Sequence, residues 1–176
     1  MFKELEKINE RPEPFQFYTA SDLWTDQHTS QQMLSYHLNK AIDVSSRNEL
    51  LKKFYTILKP GGSVVLDVYS LVAFEKREEV STHELNQLNG SWSTDKYYGF
   101  LNTFKYDSEK VVLDKYTIIE SDRTRTVYNW LQHFAPEDLE REFLEVGFTI
   151  NELYSDVAGS PFDKESSEFA VVARRV

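Results

Sequence analysis

The sequence predicts an α/β protein that carries an antiparallel β-rich insertion. Three stretches predict it. Glu49 to Ser70 reads as an amphipathic helix, a tight Pro-Gly-Gly turn and a short apolar strand, which is half of an α/β unit. Tyr97 to Phe134 holds three β-rich runs separated by short polar connectors, the pattern of an antiparallel meander. Pro136 to Ala173 then returns to helix, strand, loop and strand.

In chain order, residues 1–14 read as a mobile or loosely docked arm that ends in Pro12-Glu13-Pro14. Phe15, Phe17, Tyr18, Leu23 and Trp24 crowd aromatic and apolar groups into a segment without periodicity, as in an irregular cover over a core. Thr29 or Ser30 is placed to cap a helix with Met33, Leu34, His37 and Leu38 on one face. Ser46 and Glu49 have capping-box spacing and would start the next helix. Its apolar face is Leu50, Leu51, Phe54, Ile57 and Leu58, with Lys52 and Lys53 opposite. Lys59-Pro60-Gly61-Gly62 stops it, because proline cannot continue a helix and glycine tolerates a left-handed turn. Val64, Val65, Leu66 and Val68 follow as an almost unbroken apolar run, which reads as a strand buried on both faces inside a parallel sheet.

Leu71 to Leu88 is polar, with a weak helical pattern in its first half, and Asn89-Gly90 marks a turn. The β-rich runs are Tyr97 to Tyr106, Val111 to Glu120 and Thr124 to Phe134. Pro136-Glu137-Asp138 opens a helix with proline in the first turn and carboxylates at the positive helix end. Leu139, Phe143, Leu144 and Val146 form its apolar side, and Gly147 closes it. Phe148 to Val157 and Phe169 to Ala173 read as the last strands.

A length of 176 residues suits one domain with a substantial core, and 40% hydrophobic content is that of a folded chain. The net charge of -9 argues against nucleic acid or an anionic membrane as the main partner. Without cysteine there is no disulfide, thiolate metal site or cysteine nucleophile, which is compatible with a cytoplasmic home. The N-terminus is charged and has no secretory pattern, and no apolar run reaches membrane-spanning length. The histidines, His28, His37, His83 and His133, show no i, i+4 pair, so no metal site is expected.

The pieces resemble the later half of class I S-adenosylmethionine (SAM) dependent methyltransferases, in a bacterial branch that acts on small molecules. The helix, Lys59-Pro60-Gly61-Gly62 and the strand ending Asp67-Val68 are similar to the helix before that fold's fifth strand and the strand itself. Phe134 to Phe148 looks like the last helix leading into the sixth strand. Ser155 to Phe162 and Ser167 to Arg174 look like the final hairpin. The aromatic meander resembles a substrate-covering insertion. Phe17 to His28, with Met33-Leu34 and Asp43 to Arg47, looks like the branch's N-terminal cover. The resemblance implies residues 1–48 as arm and cover helix, and 49–176 as the C-terminal half of the domain with the insertion at about 91–134.

What the resemblance lacks is the cofactor cradle, a glycine-rich turn after the first strand and an acidic residue closing the second. Gly61, Gly62, Gly90, Gly99, Gly147 and Gly159 include no G-x-G arrangement. Four strands with their helices need on the order of 70–100 residues, and no such length lies between Asn48 and Glu49. The expectation is therefore a Rossmann-like sheet remnant, strands five to seven plus a three-stranded antiparallel meander, α+β after truncation. An unpaired Val64–Tyr69 edge would then be covered by Phe15–Leu38 or by a second copy in a homodimer.

Within that frame Asp67 is the candidate cofactor residue, or else a turn or capping carboxylate. The candidate substrate contacts are Tyr18, Trp24, His28, Tyr69, Tyr128, Trp130 and His133. His28 stands near Asp26 as a base held by a carboxylate, or as a loop residue. Tyr128 and Trp130 share one strand face, able either to enclose a cationic or planar small molecule or to serve ordinary sheet packing. Two functions stay open: a SAM-dependent methyltransferase of a small molecule, or a non-catalytic binding or assembly module descended from one.

Overall fold

The computed structural model describes residues 2–19 and 44–176, and the chain divides into two compact units. The helix expected after Thr29 or Ser30 lies outside the described residues.

The first unit takes residues 1–41 and 78–131. Its described elements are helix α1 (Phe2–Asn9) and strands β2 (Ser81–Leu85), β3 (Tyr98–Tyr106), β4 (Val111–Ile119) and the leading part of β5 (Thr124–Phe134). These strands lie in the order β2-β3-β4-β5. β2–β3 and β3–β4 are antiparallel, with His83 opposite Phe100 and Thr103 opposite Asp114. The expected meander is joined by β2, which comes from the polar second half of the Leu71 to Leu88 stretch, where no strand was expected.

The two faces of this sheet differ. One carries Tyr106, Val111, Leu113 and Trp130, and the other packs Trp92, Tyr97, Ile118 and Val127. Of residues 1–14, expected as a mobile or loosely docked arm, the described part is tied to the sheet through Ile8, Asn9 and the end of α1. Ile8 is only 6% exposed, and Asn102 Nδ2 donates to Asn9 Oδ1 at 3.0 Å. Lys115, 4% exposed, donates from Nζ to the carbonyls of Lys7 (2.7 Å) and Glu10 (2.8 Å). These lie at the C-terminal end of α1, where carbonyls lack helical partners and a cation is favoured.

The second unit takes residues 42–77 and 132–176. It contains α2 (Val44–Ile57), β1 (Ser63–Ser70), α3 (Leu71–Lys76), α4 (Pro136–Val146), β6 (Phe148–Tyr154), β7 (Glu168–Arg175) and the end of β5. α2 begins at Val44, so the Ser46–Glu49 spacing falls inside its first turns rather than ahead of them. At its other end Gly61, with φ 77°, turns the chain. The turn is stitched to β7 by Gly61 N–H to Arg175 O (3.0 Å) and Arg175 N–H to Gly62 O (2.9 Å). The Arg175 guanidinium lies 4.1 Å from the Tyr55 ring centre and donates to the carbonyls of Tyr55 and Leu58, capping α2.

β7 runs antiparallel to both β1 and β6, in the order β1-β7-β6. One sheet face buries Phe148, Phe169, Val171 and Ala173 against Leu51, Leu139 and Phe143, with Val64, Leu66 and Val68 packed alongside. A fully buried Phe or Leu contributes about 1.5–3 kcal/mol against about 1 kcal/mol for a hydrogen bond, so this layer is held mainly by its apolar face. The partly buried Arg47–Glu142 ion pair, 2.9 Å, links α2 to α4, with the guanidinium 4.9 Å from the Phe134 ring centre.

β1 departs from the strand expected. It is not buried on both faces: Val65 is 53% exposed and Asp67 is exposed beside it, while Val64, Leu66 and Val68 point to the core. Its long ladder is the antiparallel one to β7. Among the described residues, its other edge pairs only at Tyr69↔His133 and Ser70↔Phe134, in parallel with β5.

Candidate functional site

In the second unit, Tyr69 and His133 meet at the carboxyl ends of the parallel pair β1 and β5. Their rings stack at 5.5 Å with a 30° tilt, and Phe74 from α3 meets the imidazole edge-on at 5.4 Å. His133 is 4% exposed. α3 can begin immediately after β1 because Ser70 caps it: its Oγ accepts from Ala73 N–H (3.2 Å) and donates to Ser166 O (2.6 Å). That cap turns Phe74 back onto His133. Phe74 escaped the sequence reading, although its place four residues beyond a serine cap was a usable signal. Asp67 lies two residues before Tyr69 on the same β1 face, opposite Ala170 of β7, with its carboxylate exposed.

In the first unit, Tyr18, Tyr128 and Trp130 come together with Phe15 and Phe17 of the aromatic cover segment and with Tyr106, which was not among the candidate site residues. Trp130, 2% exposed, lies against Phe15 (5.2 Å between ring centres) and Tyr106 (5.6 Å). Phe15 stacks on Tyr18 at 6.4 Å, and Phe17 meets Tyr128 at 5.0 Å. Trp130 Nε1–H donates to Phe17 O at 2.9 Å, the Tyr128 N–H to Thr19 Oγ1 at 3.0 Å, and the Tyr106 hydroxyl to Pro12 O at 2.6 Å. Burial pushes the Tyr106 phenol up to about 12, and raises Tyr128 in the same direction. The Arg11 guanidinium lies 4.9 Å from the Phe104 ring centre and 5.4 Å from that of Tyr106, and pairs with Glu79. Trp24 and His28 lie outside the described residues.

A groove between α4 and β6 is lined by Glu137, Glu140, Ile150 and Glu152. Its acidic walls contain none of the expected residues. Among the described residues, no cluster of His, Asp and Glu is placed to hold a metal ion, and no helix is long and apolar enough to cross a membrane.

The fit of SAM can be tested on the glycines, since all six lie in the described residues. An added Cβ would meet Arg174 at Gly61, the Lys59 carbonyl at Gly62, Gln87 at Gly99 and Tyr55 at Gly147, while Gly90 and Gly159 have nothing within 4 Å. None forms a strand-to-helix turn with amides free to approach a cofactor. The β1–α3 junction is made by Ser70 and the β5–α4 junction by Ala135. Among the described residues, then, no glycine-rich turn of that kind is present, and Asp67 sits within the β1–β7 ladder opposite Ala170.

Comparison with solved structures places the fold. The chain is similar to the CcbJ methyltransferase from Streptomyces caelestis, with a TM-score of 0.54 and 16% identity over 75% of this chain and 51% of that one. It is also similar to an S-adenosylmethionine-dependent methyltransferase from Clostridium acetobutylicum ATCC 824, with a TM-score of 0.56 and 13% identity over 78% and 54%. The chain spans about half the length of these proteins. No family model matches it, and no curated protein does. The α/β fold is that of Rossmann-like methyltransferases.

Proposed function

We propose that this chain is the acceptor-side and cover portion of a methyltransferase-like protein of small molecules, and that it does not bind SAM by itself. The observation that supports it best is the Tyr69–His133–Phe74 cluster at the ends of β1 and β5, since ligands of α/β sheets bind outside the carboxyl ends of parallel strands. There, His133 could take a proton from the nucleophile of an acceptor, and Tyr69 could orient it. A cytoplasmic setting accords with this reading. SAM chemistry would then need a cradle from outside the described residues.

Titration calorimetry with SAM and S-adenosylhomocysteine tests the claim. No saturable heat is expected from the isolated chain; micromolar binding at one site per chain would overturn the incomplete-cradle reading. A second reading, a non-catalytic homodimeric assembly module, is favoured by the β1 edge, whose backbone groups from Ser63 to Val68 have no second ladder among the described residues.

A further inference from the structure

Three side chains lie abreast across three strands of the second unit. Tyr69 of β1 is in register with His133 of β5 on one side and with Glu168 of β7 on the other. Residues in register share a sheet face, with Cβ atoms about 4.5–5.5 Å apart in an antiparallel pair. The face that carries the Tyr69–His133 stack therefore also carries Glu168. Ser70 sets this alignment: its N–H donates to Ser167 O (3.0 Å) and its hydroxyl to Ser166 O (2.6 Å), which draws the start of β7 alongside the end of β1. Asp67, two residues before Tyr69, lies on the same face, one diagonal step from Glu168. Ala170, opposite Asp67, has too short a side chain to stand between the two carboxylates.

Both acidic residues are exposed, and Tyr69 between them is half-buried. Among the described residues no lysine or arginine forms an ion pair with either carboxylate. Two uncompensated carboxylates thus flank one phenol ring at the strand ends where the acceptor site was placed. We propose that Glu168, together with Asp67, sets the charge preference of that site, which selects an acceptor carrying a positively charged amine. The ammonium rests against the Tyr69 ring, whose face attracts a cation. It lies between two carboxylates whose mutual repulsion it relieves. A neutral acceptor gains nothing from this pair, and an anionic one is repelled. The inference deepens the acceptor-side reading above and rests on it for the ligand's role as substrate. Binding of the amine itself needs no SAM.

The test uses the full chain without SAM at neutral pH, with benzylammonium as the probe and benzyl alcohol as its neutral counterpart. Ring signals of His133, assigned by their loss in His133→Gln, are followed by nuclear magnetic resonance. Benzylammonium should shift them saturably, and benzyl alcohol should bind at least tenfold more weakly. Added salt should weaken the ammonium but not the alcohol, because exposed charges are screened. Glu168→Gln should lower affinity for the ammonium at least fivefold, whereas Glu165→Gln, outside the row, should leave it unchanged. No saturable shift with benzylammonium overturns the proposal, as does unchanged affinity in Glu168→Gln. Benzyl alcohol binding as tightly as the ammonium, a comparison made on the parent chain alone, overturns the charge preference yet leaves the acceptor-side reading standing.

Discussion

The Tyr106 hydroxyl donates to Pro12 O within a cluster that also holds Trp130 and Arg11. Burial raises this phenol from 10.0 to about 12. A group whose folded value lies above its unfolded one stabilises fully below the unfolded value, so this contribution is whole below pH 10 and is lost as pH climbs toward 12. At 1.36 kcal/mol per pH unit the loss is roughly 2–3 kcal/mol. Lys115, lowered by burial, works in the opposite direction over the alkaline range. Comparing Tyr106→Phe with the parent therefore isolates the phenol. Urea unfolding should show the variant about 1 kcal/mol or more less stable at pH 7, with a smaller alkaline loss.

Glu79 behaves oppositely. The Lys105 backbone N–H, then Arg11, hold its carboxyl below the usual 4.5. Its contribution is present above that value and disappears as pH falls through the folded one. Glu79→Gln should flatten the acid limb of a pH–stability curve around residues 11–19, read by hydrogen exchange. At this scale Tyr128 and Trp130 were legible as one strand face because β periodicity is two. Phe15 was legible only as part of an irregular aromatic cover, and its contact with Trp130 was not, since irregular backbone carries no period.

Gly147 closes α4 at φ 97°, with its N–H reaching the Leu144 and Phe143 carbonyls. An alanine there would adopt a disfavoured left-handed backbone and bring its Cβ 2.8 Å from Tyr55 Cε2. Gly147→Ala should therefore cost about 2 kcal/mol or more by thermal or urea unfolding. Gly90→Ala, also left-handed (φ 81°) but with nothing within 4 Å, should cost only about 1–2 kcal/mol. Equal losses would remove the steric part of this account. α4 was readable because Pro136 and Gly147 are local signals. β2 was not: Ser81-Thr82-His83-Glu84-Leu85 is exposed throughout and is a strand because β3 offers it an edge. The docking of α1 was equally hidden, because it depends on Lys115, some hundred residues away in sequence.

For the whole molecule, short polar connectors made the β3-β4-β5 neighbours legible in the sequence, whereas the order β1-β7-β6 came within reach only through resemblance to a known fold, because that pairing is non-local. The misjudged burial of β1 has the same origin. Val64-Val65-Leu66 reads alike whether one face or two are covered, and only the placement of helices decides it. The exposed Val65 and the short parallel ladder at Tyr69 and Ser70 leave most of one β1 edge without a strand partner among the described residues. Exposed edges template pairing with another chain, and a two-fold dimer uses the same patch on both copies. Under the assembly reading, light scattering across a concentration series should give twice the 20.7 kDa chain mass. Val65→Lys should weaken that association at least tenfold, since a lysine on an edge strand is a protection natural sheets use. A mass that stays at one chain throughout the series would sink the dimer.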